Sequence, residues 1–230
     1  MKFDKKTQEA IFISRPNRFQ AWVEIDGEEI MAHVPNTGRL KEILIPGCRV
    51  LVRHEDGAKR KTAHSLIAAW KGDLLINFDS QAPNKVVEEA LKSKWIPQYE
   101  DYDVIEREKT FGGSRFDFRL KKEGAPDYYL EVKGVTLEID GMVSFPDAVT
   151  ARGAKHLREL VEARKAGFGA GLILLVQLDR ATHFSPNTAM DPYFTESLQY
   201  AMDHGVDLMA YTCLVTTDSL TLDQPIPIKM

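Results

Sequence analysis

Arg115-Phe116-Asp117-Phe118, a charged turn at Lys121-Lys122-Glu123-Gly124, and then Leu130-Glu131-Val132-Lys133 form the stretch that decides how this chain folds. Side chains of a strand alternate between faces, so Phe116 and Phe118 are expected on one side and Asp117 on the other. By the same rule Leu130 and Val132 oppose Glu131 and Lys133. If the two strands pair, each buries an apolar face, and Asp117, Glu131 and Lys133 meet on the remaining surface. Two carboxylates offer hard oxygen ligands for Mg²⁺ or Mn²⁺, and the ammonium group beside them completes the layout of a metal site that handles phosphate. The plainer account is a solvated strand face with paired charges. A bare Asp…Glu-x-Lys spacing is short enough to recur by chance, so the surrounding residues have to decide.

They include Pro146-Asp147-Ala148-Val149-Thr150-Ala151-Arg152-Gly153-Ala154-Lys155-His156-Leu157-Arg158-Glu159-Leu160 and Glu131-Val132-Lys133-Gly134-Val135-Thr136-Leu137. With Arg18-Phe19, Pro35-Asn36-Thr37-Gly38, Ile45-Pro46-Gly47, Lys59-Arg60-Lys61 and the ending around Gly205 to Tyr211, the chain resembles the sugar fermentation stimulation protein A family over most of its length. The resemblance implies a DNA-binding protein with an OB-like N-terminal barrel followed by an α/β domain of mixed sheet resembling PD-(D/E)xK nucleases. Carried over by position, Asp117 matches the first acid of that nuclease superfamily. Glu131 and Lys133 match its (D/E)xK, and Glu89 on a preceding helix matches its extra carboxylate. Phe116 stands where the superfamily's motif has proline.

A chain of 230 residues has room for one large domain or two ordinary ones. The expected division is an OB-like barrel over residues 1–80 and the nuclease-like domain over 81–230. The longest apolar run, Ala170 to Val176, falls well short of the ~18 residues a membrane span needs and reads as a central strand. No signal-peptide hydrophobic region follows Met1-Lys2-Phe3-Asp4-Lys5-Lys6, so the expectation is a cytoplasmic protein with no membrane partner. Cys48 and Cys213 lie far apart, without metal-ligand or redox spacing, and read as buried free thiols. Net charge is −4, which argues against an all-over nucleic-acid glove. Its distribution is uneven: residues 1–80 carry 13 Lys+Arg against 11 Asp+Glu, and the remainder carry 17 against 23. A nucleic-acid surface must therefore be local, and the acidic half suits carboxylates awaiting a cation.

From Ala10 to Asn77 short alternating runs are punctuated by Asp26-Gly27, Asn36-Thr37-Gly38, Pro46-Gly47, Asp56-Gly57 and Lys71-Gly72-Asp73. Five or six short strands at this spacing suit a small barrel. The rhythm changes at Asp79-Ser80-Gln81-Ala82-Pro83-Asn84, where Ser80 or Asn84 can cap a helix carrying Val86, Val87, Ala90 and Leu91 as its apolar stripe. Strand patterns then interleave with helices at Thr150 to Ala166 and Tyr193 to Asp203, the mark of an α/β domain with a mixed sheet.

Several cations are placed to touch a phosphodiester backbone. Lys59, Arg60 and Lys61 crown a loop between barrel strands, with Arg15 and Arg18 nearby in sequence. On the later helix Leu157, Leu160 and Val161 form the buried stripe, leaving Arg152, Lys155 and His156 on an exposed face. An ordinary charge-paired helix would look the same. His156 can also donate to phosphate or support catalysis. The combined expectation is a DNA-binding protein whose Mg²⁺ or Mn²⁺ is held by Asp117, Glu131 and Glu89, with Lys133 orienting water for phosphodiester hydrolysis. The alternative is a non-catalytic DNA-binding regulator of sugar metabolism on the same scaffold.

Overall fold

Six strands wind into the N-terminal barrel of the computed structural model, which describes residues 1–56 and 61–230. They are β1 (Thr7–Asn17), β2 (Gln20–Ile25), β3 (Glu28–His33), β4 (Arg49–His54), β5 (His64–Lys71) and β6 (Leu74–Asn77). The sheet runs β3-β2-β1-β4-β5-β6, and a parallel bridge between His33 and Ser65 closes β3 onto β5. Closure removes the open edges that a small sheet would otherwise expose. Alternation does the packing: Ala21, Val23 and Ile25 of β2 are buried while Trp22 and Glu24 face out.

The second unit opens with α1 (Ala82–Lys92), whose Val86, Val87, Ala90 and Leu91 are buried as the stripe predicts. Its cap differs from expectation. Gln81 occupies the N-cap with no side-chain bond, and Pro83 sits in the first turn, where a missing N–H costs nothing. Next come β7 (Val104–Phe111), β8 (Ser114–Lys121), β9 (Tyr128–Val135), β10 (Leu137–Ile139), β11 (Met142–Phe145), α2 (Ala151–Lys165), β12 (Gly169–Val176), β13 (His183–Pro186), α3 (Pro192–Asp203), β14 (Asp207–Val215) and β15 (Leu220–Ile226). The main sheet is mixed, in the order β15-β14-β12-β9-β8-β7, with β9, β12 and β14 parallel. A smaller sheet of β10, β11 and β13 flanks it.

Strand β12 explains why its sequence is continuously apolar. Leu172 and Leu174 pack into one cluster with Leu157, Leu160 and Phe194 of α2 and α3, while Ile173 and Leu175 pack into another with Val86, Val87 and Leu91 of α1. A strand sandwiched between helices has no polar face. The first of these clusters also contains Val50, Leu66 and Phe78, so barrel and α/β unit share one continuous core. Cys213 is buried and Cys48 half-buried, and both are free thiols.

One local expectation fails where it matters most. Phe116 joins the α2-side cluster and Phe118 the α1-side cluster, so the two rings do not share a face. Regular pairing of β8 with β9 covers Phe118 to Leu120. At Asp117 the side chain, rather than the backbone, receives the Val132 N–H at 2.8 Å. On the other neighbouring strand Glu108, opposite Asp117 in register, has a left-handed φ of 53°. The β8–β9 ladder thus stops short of Asp117, whose side chain takes the place of the next backbone acceptor, and Glu108 across from it carries backbone strain of about 1–3 kcal/mol.

Candidate functional site

Glu131 lies on β9 facing α2 and is 2% exposed. Its Oε1 accepts from Lys133 Nζ and from His156 Nδ1, the latter at 2.5 Å. Its Oε2 is buried and has no hydrogen-bond partner. On the far side of the imidazole, Arg152 Nε donates to His156 Nε2 at 3.3 Å. Because Nε2 must accept there, the ring proton sits on Nδ1 and points at Glu131.

Asp117 enters through the ladder gap. Its Oδ2 holds the Val132 N–H, and its Oδ1 accepts from Asn84 Nδ2 at 2.7 Å. Asn84, read from sequence as a possible cap, is therefore the α1 residue that orients this acid. The i, i+4 spacing that turns Glu88 the same way as Asn84 was the signal available for finding that face. Burial first, then the neighbouring Glu131 charge, pushes the Asp117 carboxyl above its ordinary pKa. Burial acts in the same sense on Glu131, but the His156 hydrogen bond and the Lys133 charge outweigh it and hold that carboxyl below its ordinary value. The pKa values of the two acids are thus driven in opposite directions, Asp117 up and Glu131 down. Lys133 retains 20% side-chain exposure.

Glu89 does not join them. Its carboxylate pairs with the Met1 amino terminus at 2.7 Å and is 59% exposed. At 3.6 residues per turn, five positions carry it about 140° around the helix from Asn84. Glu88, four residues on from Asn84, instead pairs with Arg107 of β7 at 3.1 Å. Among the described residues no group of three or more His, Cys, Asp or Glu side chains is arranged to hold a metal ion. Lys133 reaches Glu131, and the charges of both act on Asp117, while Glu89 stands apart.

Family comparison accounts for nearly the whole chain. The family model "Sugar fermentation stimulation protein RE domain" matches residues 81–219, and "SfsA N-terminal OB domain" matches residues 13–78. This chain belongs to the sugar fermentation stimulation protein (SfsA) family. Sugar fermentation stimulation protein homologs from Clostridium acetobutylicum and Clostridium botulinum are 54% and 56% identical to it, in each case over all of both chains. The solved structure of Pyrococcus furiosus SfsA in complex with Ca²⁺ superposes with a TM-score of 0.90 at 25% identity, again covering both chains fully.

The cations of this SfsA family member divide sharply. Lys59 and Arg60 lie outside the described residues, and Lys61 is exposed beside Phe19 and His33 on the barrel surface. Arg15 is committed internally: its guanidinium donates to the backbone carbonyls of Arg18, Asn36, Gly38 and Arg39 at 2.7–2.9 Å. It clamps the turn that follows β3 and has few donors left for a phosphate. Arg18, held by that clamp through its carbonyl, is itself exposed. On α2, His156 is 5% exposed and faces Glu131, which corrects the expectation of an outward-facing histidine. Helix geometry explains it: position 156 sits one residue from Leu157 and four from Leu160, at the edge of the buried stripe. Lys155 is exposed but donates to the Gly113 carbonyl at 2.9 Å, and Arg152 is exposed beyond its contact with His156. Phe19, 54% exposed on the same barrel face as Lys61, is the aromatic that composition alone did not single out; Trp70, by contrast, is covered by Arg49 at 4.6 Å.

Proposed function

We propose that this protein binds nucleic acid through its barrel and uses Asp117, Glu131 and Lys133 as a divalent-metal phosphodiesterase centre. The observation that carries the reading is the buried, unpartnered Oε2 of Glu131. A carboxylate oxygen buried without a donor is costly by roughly 1–3 kcal/mol or more, and a cation is the ligand that answers it. The residues fit such a group: Asp117 and Glu131 are all-oxygen donors, and the Pyrococcus furiosus relative is in complex with Ca²⁺, a cation of the same hard class. When bound, Mg²⁺ or Mn²⁺ would polarise a phosphoryl oxygen and acidify water. The protein's own residues do the rest. His156 and Lys133 fix Oε1 so that Oε2 is the oxygen offered. Lys133 supplies positive charge where a phosphate develops negative charge. Asn84 and the Val132 N–H hold the Asp117 carboxylate in place. On the barrel, Phe19 supports base stacking and Arg18 and Lys61 support phosphate contact, consistent with the DNA binding implied by the family resemblance.

One observation favours a second reading, a DNA-binding regulator without turnover: Oε1 of Glu131 is already locked by Lys133 and His156. Calorimetric Mn²⁺ titration and cleavage of labelled DNA decide between them. The proposal expects Mn²⁺ binding that weakens at least tenfold in Glu131→Gln, together with Mg²⁺- or Mn²⁺-dependent cleavage abolished by Lys133→Ala. Metal binding without cleavage supports the regulator, and DNA binding with no metal binding at all removes the metal centre.

A further inference from the structure

At the carboxyl ends of the parallel strands β9 and β12 a cleft of about 330 Å³ separates the barrel from the α/β unit. That end of an open sheet is where ligands of α/β folds commonly sit. One wall is barrel: Arg18 and the Asn36-Thr37-Gly38 turn held in place by the Arg15 clamp. The opposite wall is Pro83, Gly134, Thr136 and the approach to α2 at Val149 and Thr150. The lining combines four chemistries. Arg18 has no carboxylate partner among the described residues, Asp147 adds a carboxylate whose Oδ2 accepts from the Arg39 and Leu40 N–H groups, Thr136 and Gln177 bring a hydroxyl and an amide oxygen, and Phe145, Pro83 and Val149 form an apolar side. The Gln177 amide nitrogen is already spent on Asn77 and Asp79. Gly134 lets this wall pack closely, because a Cβ there would run into Gln177 and Pro83. Its neighbour in sequence is Lys133, and the neighbour of Pro83 is Asn84, so the wall of the cleft continues into the residues that hold Asp117 and Glu131.

We infer that this cleft seats one unpaired nucleotide, so that the preferred nucleic acid is single-stranded or carries an extrahelical base. This rests on the nucleic-acid reading above and narrows its substrate class. The volume lies at the low end of the ~300–1,000 Å³ typical of small-ligand sites, which suits one nucleotide and excludes a duplex. A flat base has an apolar wall, its polar edge meets Thr136 and Gln177, and its phosphate meets Arg18. A base already outside the stack enters at little unpairing cost, so a bulged duplex should be favoured over a fully paired one.

The test measures binding of a labelled duplex with a single extrahelical thymidine against the blunt duplex of otherwise identical sequence, at fixed salt. Wild-type protein is expected to prefer the bulged probe at least tenfold. Val149→Trp and Thr37→Trp fill the cleft from opposite walls at exposed positions, Val149 being 73% exposed. Each is expected to erase the preference while keeping blunt-duplex affinity, with melting temperatures confirming that both variants fold. Equal affinity of wild type for the two probes, or a preference that survives both fillings, overturns the cleft assignment alone. Binding of neither probe overturns the nucleic-acid reading along with it.

Discussion

Glu55 in the barrel and Glu131 in the α/β unit are both buried glutamates ringed by cations, yet they are finished differently. Both Glu55 oxygens are taken: Lys5 reaches Oε2 at 2.9 Å and Arg53 reaches Oε1 at 2.8 Å, while Arg53 also holds Asp79 at 2.9 Å. Glu131 has Lys133 and His156 on one oxygen and nothing on the other. A closed network can serve as a weld between strand β4, the N-terminal segment and the start of α1. A half-closed one carries an unmet demand, the feature on which the metal-centre proposal rests.

The largest effect should come from breaking the weld. Arg53→Met leaves Glu55 and Asp79, 5% and 4% exposed, without their shared partner. Removing one member of a buried ion pair typically costs about 3–5 kcal/mol, so denaturant unfolding should show a loss in that range. A loss below about 1 kcal/mol would mean that water already reaches the cluster, and the contrast between the two glutamates would weaken.

Exchanging charge for amide at each glutamate sharpens the comparison. Glu131→Gln keeps an oxygen for His156 Nδ1 and removes the repulsion acting on Asp117, which offsets the weakened bond from Lys133, so stability should move by no more than about 1 kcal/mol. Its Mn²⁺ affinity should fall at least tenfold. Glu55→Gln should do the reverse, losing roughly 2 kcal/mol with metal binding intact, because it weakens two charge-assisted bonds. If both variants lose stability alike, Glu131 is a weld as well and its bare oxygen has no functional meaning.

The same contrast explains what could be read in the sequence. The shared face of Glu131 and Lys133 was legible because strand alternation is local, and the barrel and mixed sheet followed from turn signals and an unbroken apolar run. The Phe116 and Phe118 error came from assuming a regular strand; the break in the ladder depends on Asp117 capturing the Val132 N–H from another strand. Glu89 was assigned by position in a motif, whereas the buried stripe of α1 turns it about 140° from Asn84 towards solvent and the Met1 amine. Arg15 looked like any surface cation until the turn it clamps had folded around it. The Lys5, Arg53, Glu55 and Asp79 network has no sequence signature, since its members meet only when the barrel closes on α1.

The smallest and most discriminating effect is the sign of the pH dependence. Burial alone would raise the Glu55 pKa, but hydrogen bonds from Lys5, Arg53 and Ser65 reverse that and bring it from 4.5 down to about 2. Its stabilisation is therefore full above pH 4.5 and is lost as pH falls towards about 2. Asp117 runs the other way: with a folded pKa above 3.8, its ionised form costs stability at neutral pH, and the cost fades as pH falls through the raised value. Asp117→Asn retains an acceptor for the Val132 N–H, and Asn84 can present its amide oxygen to the new amide. The variant should thus equal or exceed wild type by up to about 1 kcal/mol at pH 7, with the advantage shrinking on acidification. Wild type and Glu55→Gln should converge over the same titration from the opposite direction, with wild type the more stable at pH 7. Unfolding curves collected between pH 7 and pH 3 that move both differences in the same sense would show that Asp117 is stabilised by its ionisation, which is not how an acid awaiting a cation should behave.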